Sequence, residues 1–340
     1  MCVLRGLLSL SLCKHISCSP ETHCSTAAAT TPSRKLLETA DTPDTEVERF
    51  ISTEQEEAKM GGSSSLEFEQ PWRNVDWNGR GKLEGELRNT KIESSDVSHL
   101  RILLHGQIGV GKSCFINSVD SAFQHEIINR AGEASNAGKS YTKRYKTYKI
   151  RNGNCGFLPF VMNDVMGLEN KDGIQPDDVI SALLGHVKEG YEFNPGTPLM
   201  EGDCNYVSNP SPDDKVHCLV TVVSANNISL MDQSAIDKMK TVRERANNIG
   251  IPQIVLMTKI DEACPLVKED LKKTYTSKKI YEKIKTCSEV TGASEKFIFP
   301  VKNYCYESDT NDLTDILIML ALRHIIGAAH DYVTLLPTEH

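Results

Sequence analysis

The sequence predicts an α/β fold built on a doubly wound, mostly parallel sheet. Three observations carry that expectation. Short apolar runs at residues 101–105, 158–163, 216–225, 252–258 and 296–301 have the length and composition of buried strands. Stretches with helical spacing lie between most of them, so strand and helix alternate as in repeated βαβ units. The first run leads straight into a glycine-rich turn that opens a helix, Gly106-Gln-Ile-Gly-Val-Gly-Lys-Ser113.

Composition bounds the rest. A chain of 340 residues, 39% hydrophobic and 25% charged, holds enough apolar material for a sizeable core. Its net charge of −8 excludes broad nucleic-acid binding, because no basic patch dominates. The 11 cysteines show no C-x-x-C pair, so those outside the N-terminal leader read as free thiols of a reducing compartment. No run approaches the roughly 20 apolar residues of a membrane span. Residues 316–329 are apolar but include Arg323 and His324, and read as a buried closing helix.

Taken in order, residues 1–36 form a targeting-like or unstructured leader rich in Ser, Thr, Ala and Cys. Residues 37–70 are an acidic and then Gly/Ser-rich linker, and residues 71–335 one domain. Within the linker, Met60-Gly61-Gly-Ser-Ser-Ser65 has the spacing of an N-myristoylation signal. Membrane contact is therefore expected only if translation starts at Met60 and Gly61 is acylated, and one acyl chain binds marginally. Trp72 and Trp77 anchor the start of the domain by aromatic burial, and residues 82–88 are helical. A half-buried strand is expected at 141–150 and an amphipathic helix at 178–188. A long irregular loop follows at 189–215, then a helix at 232–248. A basic helix at 271–287 shows its lysines to solvent, and a helix at 312–329 closes the chain.

The glycine-rich turn matches G-x-x-x-x-G-K-[ST] at every fixed position, and each part has a task in holding a polyphosphate. Gly106, Gly109 and Gly111 let backbone N–H groups approach oxygen atoms. Lys112 reaches the β- and γ-phosphates, and the Ser113 hydroxyl ligates Mg²⁺. Val110 and Cys114 belong to the same nucleotide-binding stretch, which ends at a helix N-terminus. Asp164-Val-Met-Gly167 follows an apolar strand as a D-x-x-G element, with Asp164 supporting the metal and the Gly167 amide meeting the γ-phosphate. A threonine contacting the metal is expected before it. Thr142 and Thr147 are available, and Thr142, at the start of the strand, is preferred.

Thr258-Lys259-Ile-Asp261 names the base. Its pattern, [NT]-K-x-D after a strand, offers the Asp261 carboxylate to guanine N1–H and the N2 amine, with Lys259 lying along the base. Adenine would leave that carboxylate unpaired, so discrimination is large. Past the last strand, the amides of Val301 or Lys302 are placed to meet guanine O6. The expected ligand is GTP or GDP with Mg²⁺. Hydrolysis should be slow, because Leu168 stands where a water-orienting glutamine follows D-x-x-G in Ras-like switches.

Four phrases recurring in order, P-W-R-N-V-D-W, L-L-H-G-Q-I-G-V-G-K-S-C-F-I-N-S-V, D-V-M-G-L-E and F-P-V-K-N-Y, resemble the interferon-induced protein 44 and 44-like family from about Pro71 onward. The resemblance implies a Ras-like P-loop NTPase fold and a cytoplasmic, interferon-induced protein of antiviral or antiproliferative defence. Residues 1–70 are too short and polar for the N-terminal TLDc-type domain of mammalian members, so functions residing there do not transfer. The expected function is a slow guanine-nucleotide switch or assembly module with protein partners of the immune response, a homodimer being left open. Two rivals stand beside it: a nucleotide-insensitive pseudo-GTPase, and a P-loop ATPase or nucleotide kinase, against which T-K-I-D argues.

Overall fold

The computed structural model describes residues 65–132, 143–153, 156–168 and 173–336. Of the residues singled out above, Met60, Gly61 and Thr142 lie outside the described residues. The chain divides at Ser63, and the described residues all belong to the unit 64–340.

Its elements in order are α1 (Arg80–Arg88), β1 (Leu100–His105), α2 (Lys112–Gln124), β2 (Lys146–Arg151), β3 (Phe157–Asp164) and α3 (Pro176–Leu183). They continue with β4 (Cys218–Ser224), α4 (Gln233–Ile249), β5 (Gln253–Thr258), two short helices α5 (Ile260–Ala263) and α6 (Pro265–Glu269), α7 (Lys278–Thr291), β6 (Ile298–Pro300) and α8 (Asp312–Leu335). The sheet runs β2-β3-β1-β4-β5-β6. Only β2 is antiparallel; β3, β1, β4, β5 and β6 run parallel. The chain thus winds outward from β1 in both directions, and helices cover both faces. This is the Ras-like P-loop arrangement of a doubly wound α/β fold, and it puts the crevice at the carboxyl ends of the parallel strands.

Period-two alternation along the strands fills two cores. Ile102, Leu104, Val220 and Leu256 pack with Phe115 of α2 and Ile318 of α8. On the opposite face Leu103, Leu219, Val223 and Val255 pack with Leu183 of α3, Val242 of α4 and Ile284 of α7. α8 is long and apolar enough to cross a bilayer, yet 67% of its most apolar window is buried within the domain. It serves as the core helix the sequence predicts.

The start of the domain is pinned by aromatic contacts. Trp72 lies 4.7 Å and Trp77 6.4 Å, centroid to centroid, from Tyr275. Backbone contact begins earlier, inside the stretch read as linker: Phe68 N–H donates to Thr276 O at 2.8 Å, and Glu67 pairs with Lys273 at 2.7 Å.

Four sequence expectations are corrected. The helix expected at 178–188 is Pro176–Leu183; beyond it His186 stacks on Tyr206 at 4.7 Å and Val187 bridges to the same residue, so the long loop claims these residues. The single basic helix at 271–287 is a 3-10 turn, Leu271–Tyr275, followed by α7, because the Ser277 hydroxyl accepts from Ile280 N–H and starts a new helix. The regular part of the strand at 141–150 begins only at Lys146, where pairing with Asp164 becomes possible. The closing helix runs six residues further, to Leu335, because Val333 continues its buried stripe. Among the described residues Cys204, Cys218, Cys264 and Cys287 are free thiols.

Candidate functional site: a phosphate loop and its flanking loops

β1 ends at His105, and the chain turns at once because Gly106, Gly109 and Gly111 adopt positive φ of 146°, 71° and 94°. His105 is sealed beneath the turn, its Nε2 2.7 Å from the Thr221 hydroxyl. Burial, helped by the nearby Lys112 charge, pushes its pKa down to about 3, so the imidazole stays neutral under the loop. Lys112, the first residue of α2, folds back over the turn; its Nζ donates to Gly106 O at 3.1 Å and Gln107 O at 2.9 Å. The ammonium is thereby held at the mouth of the loop with only 7% of its residue surface exposed. Val110 is buried against the core beneath the loop, and Cys114 is half-buried in the first turn of α2.

Next to it the Ser113 hydroxyl donates to Asp164 Oδ2 at 2.5 Å, although the two residues are 51 apart in sequence. The parallel register that pairs Leu104 with Asp164 brings them together. A hydroxyl and a carboxylate in contact at the phosphate end form a hard-oxygen donor set, which suits Mg²⁺ completed by phosphate oxygens and water. The residues present fit that ion. Of the two threonines considered as a further ligand, Thr142 lies outside the described residues. Thr147 is engaged elsewhere, its hydroxyl donating to Glu189 Oε2 at 2.6 Å.

Gly167 sits directly against the phosphate loop. A β-carbon there would come within 2.6 Å of Ile108 Cγ1 and 2.8 Å of Ile108 N, so only glycine fits. The next residue, Leu168, donates its N–H to Gly106 O at 3.1 Å, and its side chain is fully buried. The terminal-phosphate side of the loop is therefore walled by Ile108, Gly167 and the backbone of Leu168.

The other side carries the two segments expected to read a base, T-K-I-D and the loop after β6. The Thr258 hydroxyl closes β5 onto the phosphate loop, 2.6 Å from Val110 O and 3.0 Å from Val223 O. Lys259 takes φ 59°, a left-handed conformation uncommon for a non-glycine residue, and so turns the chain into α5, where Asp261 lies in the first turn. Past β6 one expectation is corrected. The Val301 N–H donates to Met257 O at 2.8 Å, so that amide is spent on extending the sheet and is no donor for a base. Lys302 follows with its ammonium 2.6 Å from Glu307 Oε1. Burial raises the Glu307 pKa, but the Lys302 contact and amides of the same turn outweigh it and bring it down to about 2.

Sequence reading missed Asn303. Its Nδ2 donates to Gly111 O at 3.1 Å across 192 residues of chain; the phrase F-P-V-K-N-Y contains it, but only the backbone amides before it were given a role. The only available signal was its place three residues after Pro300, in the second base-side loop.

No protein-family model matches the chain. It is 34% identical over 262 residues to human interferon-induced protein 44, covering 76% of this chain and 59% of that protein. It is 31% identical over 263 residues to human interferon-induced protein 44-like, covering 76% and 58%. With mouse interferon-induced protein 44 the identity is 32% over 256 residues, 74% and 60% of the two chains. The chain thus spans about 59% of the length of the curated relatives it matches. Among solved structures, a probable GTP-binding protein engB superposes with a TM-score of 0.37 at 14% identity, over 68% of this chain and 98% of that one. Aquifex aeolicus Era bound to GDP and AlF4⁻ does so with 0.32 at 13%, over 71% and 57%. The fold assignment rests on strand order and register, to which superpositions this loose add nothing.

Proposed function

The chain is a homologue of the interferon-induced protein 44 and 44-like proteins over three-quarters of its length, and from that premise we propose that it is a guanine-nucleotide-binding protein of the interferon-induced antiviral response. It works as a slow GTPase switch or as an assembly module. The observation that carries this reading is the joining of T-K-I-D to the phosphate loop through Thr258 and Val110 O, at 2.6 Å. A carboxylate specific for guanine and a cradle for phosphates are thereby held at one end of one sheet.

In this reading the amides of residues 109–114 and the Lys112 ammonium bind the phosphates, while Ser113 and Asp164 hold Mg²⁺. Held by these two residues, the ion would supply positive charge against the phosphate oxygens. Asp261 accepts from the guanine N1–H and N2 amine, and Lys259 lies along the base. Among the residues after β6, Lys302 keeps the role of amide donor to O6. The protein acts in the cytoplasm, on protein partners of the immune response or on a second copy of itself. A chain starting at Met60 and acylated at Gly61 would add a weak membrane contact.

Calorimetric titration with GDP, GTP and ADP in Mg²⁺ tests the reading. GDP and GTP should bind and ADP should not. Equal affinity for ADP would replace guanine recognition with a general P-loop ATPase site. Ile108 packed on Gly167, with the Leu168 side chain turned into the core, favours one second reading, a pseudo-GTPase module unresponsive to nucleotide. Equal melting temperatures with and without GTP and Mg²⁺ would select it.

A further inference from the structure

The phosphate loop offers two consecutive carbonyls to the base side, Val110 O and Gly111 O, and each is taken by a different loop. Thr258 has a single hydroxyl proton, and its shorter contact is to Val110 O at 2.6 Å. That leaves Gly111 O, which also accepts the first helical bond of α2 from Phe115 N–H at 2.9 Å. A carbonyl oxygen has two lone pairs, and the second is filled by Asn303 Nδ2 at 3.1 Å. The fit is close. A β-carbon on Gly111 would lie 2.8 Å from that nitrogen, so glycine at this position makes room for Asn303 as well as for the positive φ.

Asn303 is itself firmly placed. On one side Val301 N–H is bonded to Met257 O at 2.8 Å, and on the other Tyr304 N–H is bonded to Ser118 Oγ at 2.9 Å. The loop between these anchors has little freedom, and the Asn303 residue is 7% exposed. Its second polar atom, Oδ1, is buried and takes no hydrogen bond among the described residues. That is expected of a side chain whose remaining partner arrives with the ligand or its water.

We propose that Asn303 is a positioning residue for the bound nucleotide, fixing the second base-side loop to the phosphate loop so that base and phosphates are held at one set distance. The proposal rests on the guanine-nucleotide reading above and deepens it. Its consequence is specific. A ligand that touches only the phosphate cradle does not need the tie, whereas one that spans cradle and base loop does.

The test is titration of the wild-type chain, Asn303→Ala and Asn303→Asp with GDP, inosine diphosphate and inorganic pyrophosphate in Mg²⁺. Asn303→Asp keeps the side chain's shape but cannot donate to Gly111 O. Inosine lacks the amine that Asp261 reads, so wild type should prefer GDP. In both variants GDP affinity should fall about tenfold, the loss of one buried hydrogen bond. The preference for GDP over inosine diphosphate should shrink by several-fold, and pyrophosphate binding to Asn303→Ala should stay within about twofold of wild type. A merely structural role would lower the affinity for all three ligands together and leave the GDP preference intact, which overturns the proposal. Wild type that binds pyrophosphate but prefers no base overturns the guanine reading itself, and with it the proposal.

Discussion

The two sides of the phosphate loop are built from different chemistry. On the base side, polar side chains reach across the fold, Thr258 to Val110 O at 2.6 Å and Asn303 to Gly111 O at 3.1 Å, while Lys302 pairs within its own loop with Glu307 at 2.6 Å. On the terminal-phosphate side Ser113 reaches Asp164, but the wall beyond that pair is apolar or backbone. Ile108 presses on Gly167, and Leu168 is bonded through its N–H to Gly106 O while its side chain enters the core. The first arrangement fixes a ligand in place. The second gives no side-chain atom at Leu168 with which to orient a water. The difference teaches that the polar ties between distant segments lie mainly on one side of the loop, while the other is closed by packing and backbone.

The largest effect expected from this contrast is on turnover. Single-turnover GTP hydrolysis by dilute protein should run on the order of 10⁻⁴ s⁻¹, about five orders of magnitude below the assisted scale. A quenched-flow rate near 1 s⁻¹ would break the comparison by revealing a catalytic group on the apolar side. A rate rising with protein concentration would sharpen it, because a second copy would then be supplying what Ile108 and Leu168 lack.

Lys112→Ala probes the centre that both sides share. It removes the ammonium held over Gly106 O and Gln107 O and should weaken GTP and GDP by about a hundredfold or more, as expected for a charge-assisted phosphate contact. Far-ultraviolet dichroism should be unchanged, since the residue opens a helix without filling the core. Unaltered affinity would remove the phosphate site from Lys112.

Asp261→Asn tests the base side alone. The amide donates to the oxygen that xanthine carries in place of the guanine amine, so preference should move from GTP toward xanthosine triphosphate by about tenfold or more. If competition binding returns the wild-type preference for GTP, Asp261 does not read the base.

The smallest effect concerns two carboxyl groups, one on each side. Glu307, on the base side, has its pKa lowered to about 2 despite its partial burial, by Lys302 and the amides of Cys305 and Tyr306. Its contribution to stability is present above the usual range near 4.5 and is lost as pH falls toward 2. Asp178, in α3 beyond the D-x-x-G element, is pushed up to about 6 by burial, with the Leu199 N–H bond opposing. The folded state therefore binds the Asp178 proton more tightly than the unfolded chain does, and stability falls as pH rises from about 4 to about 6. Asp178→Asn should raise the melting temperature at pH 7 by roughly 2–4 °C and have no stabilising effect below pH 4. A larger gain at pH 4 than at pH 7 would reverse the assigned sign.

How much of this was legible in the sequence follows from how local each feature is. The turn at 106–113 was readable because its parts are adjacent: a strand to stop, glycines to take positive φ, and backbone amides with Lys112 and Ser113 at the helix start. Asp164 and Thr258 were readable because each ends a strand whose apolar run predicts where the carboxyl edge of the sheet lies. The sequence by itself thus determined the sheet, the phosphate loop and the identity of the base-side motif. Tertiary structure alone decided the rest. Val301 loses its amide to Met257 O only because β6 pairs with β5. Ile108 meets Gly167, and Asn303 meets Gly111, across 59 and 192 residues respectively. Neither contact leaves a periodic trace, because hydrophobic spacing records which face of an element is buried but not which residue of a distant loop will share its carbonyl.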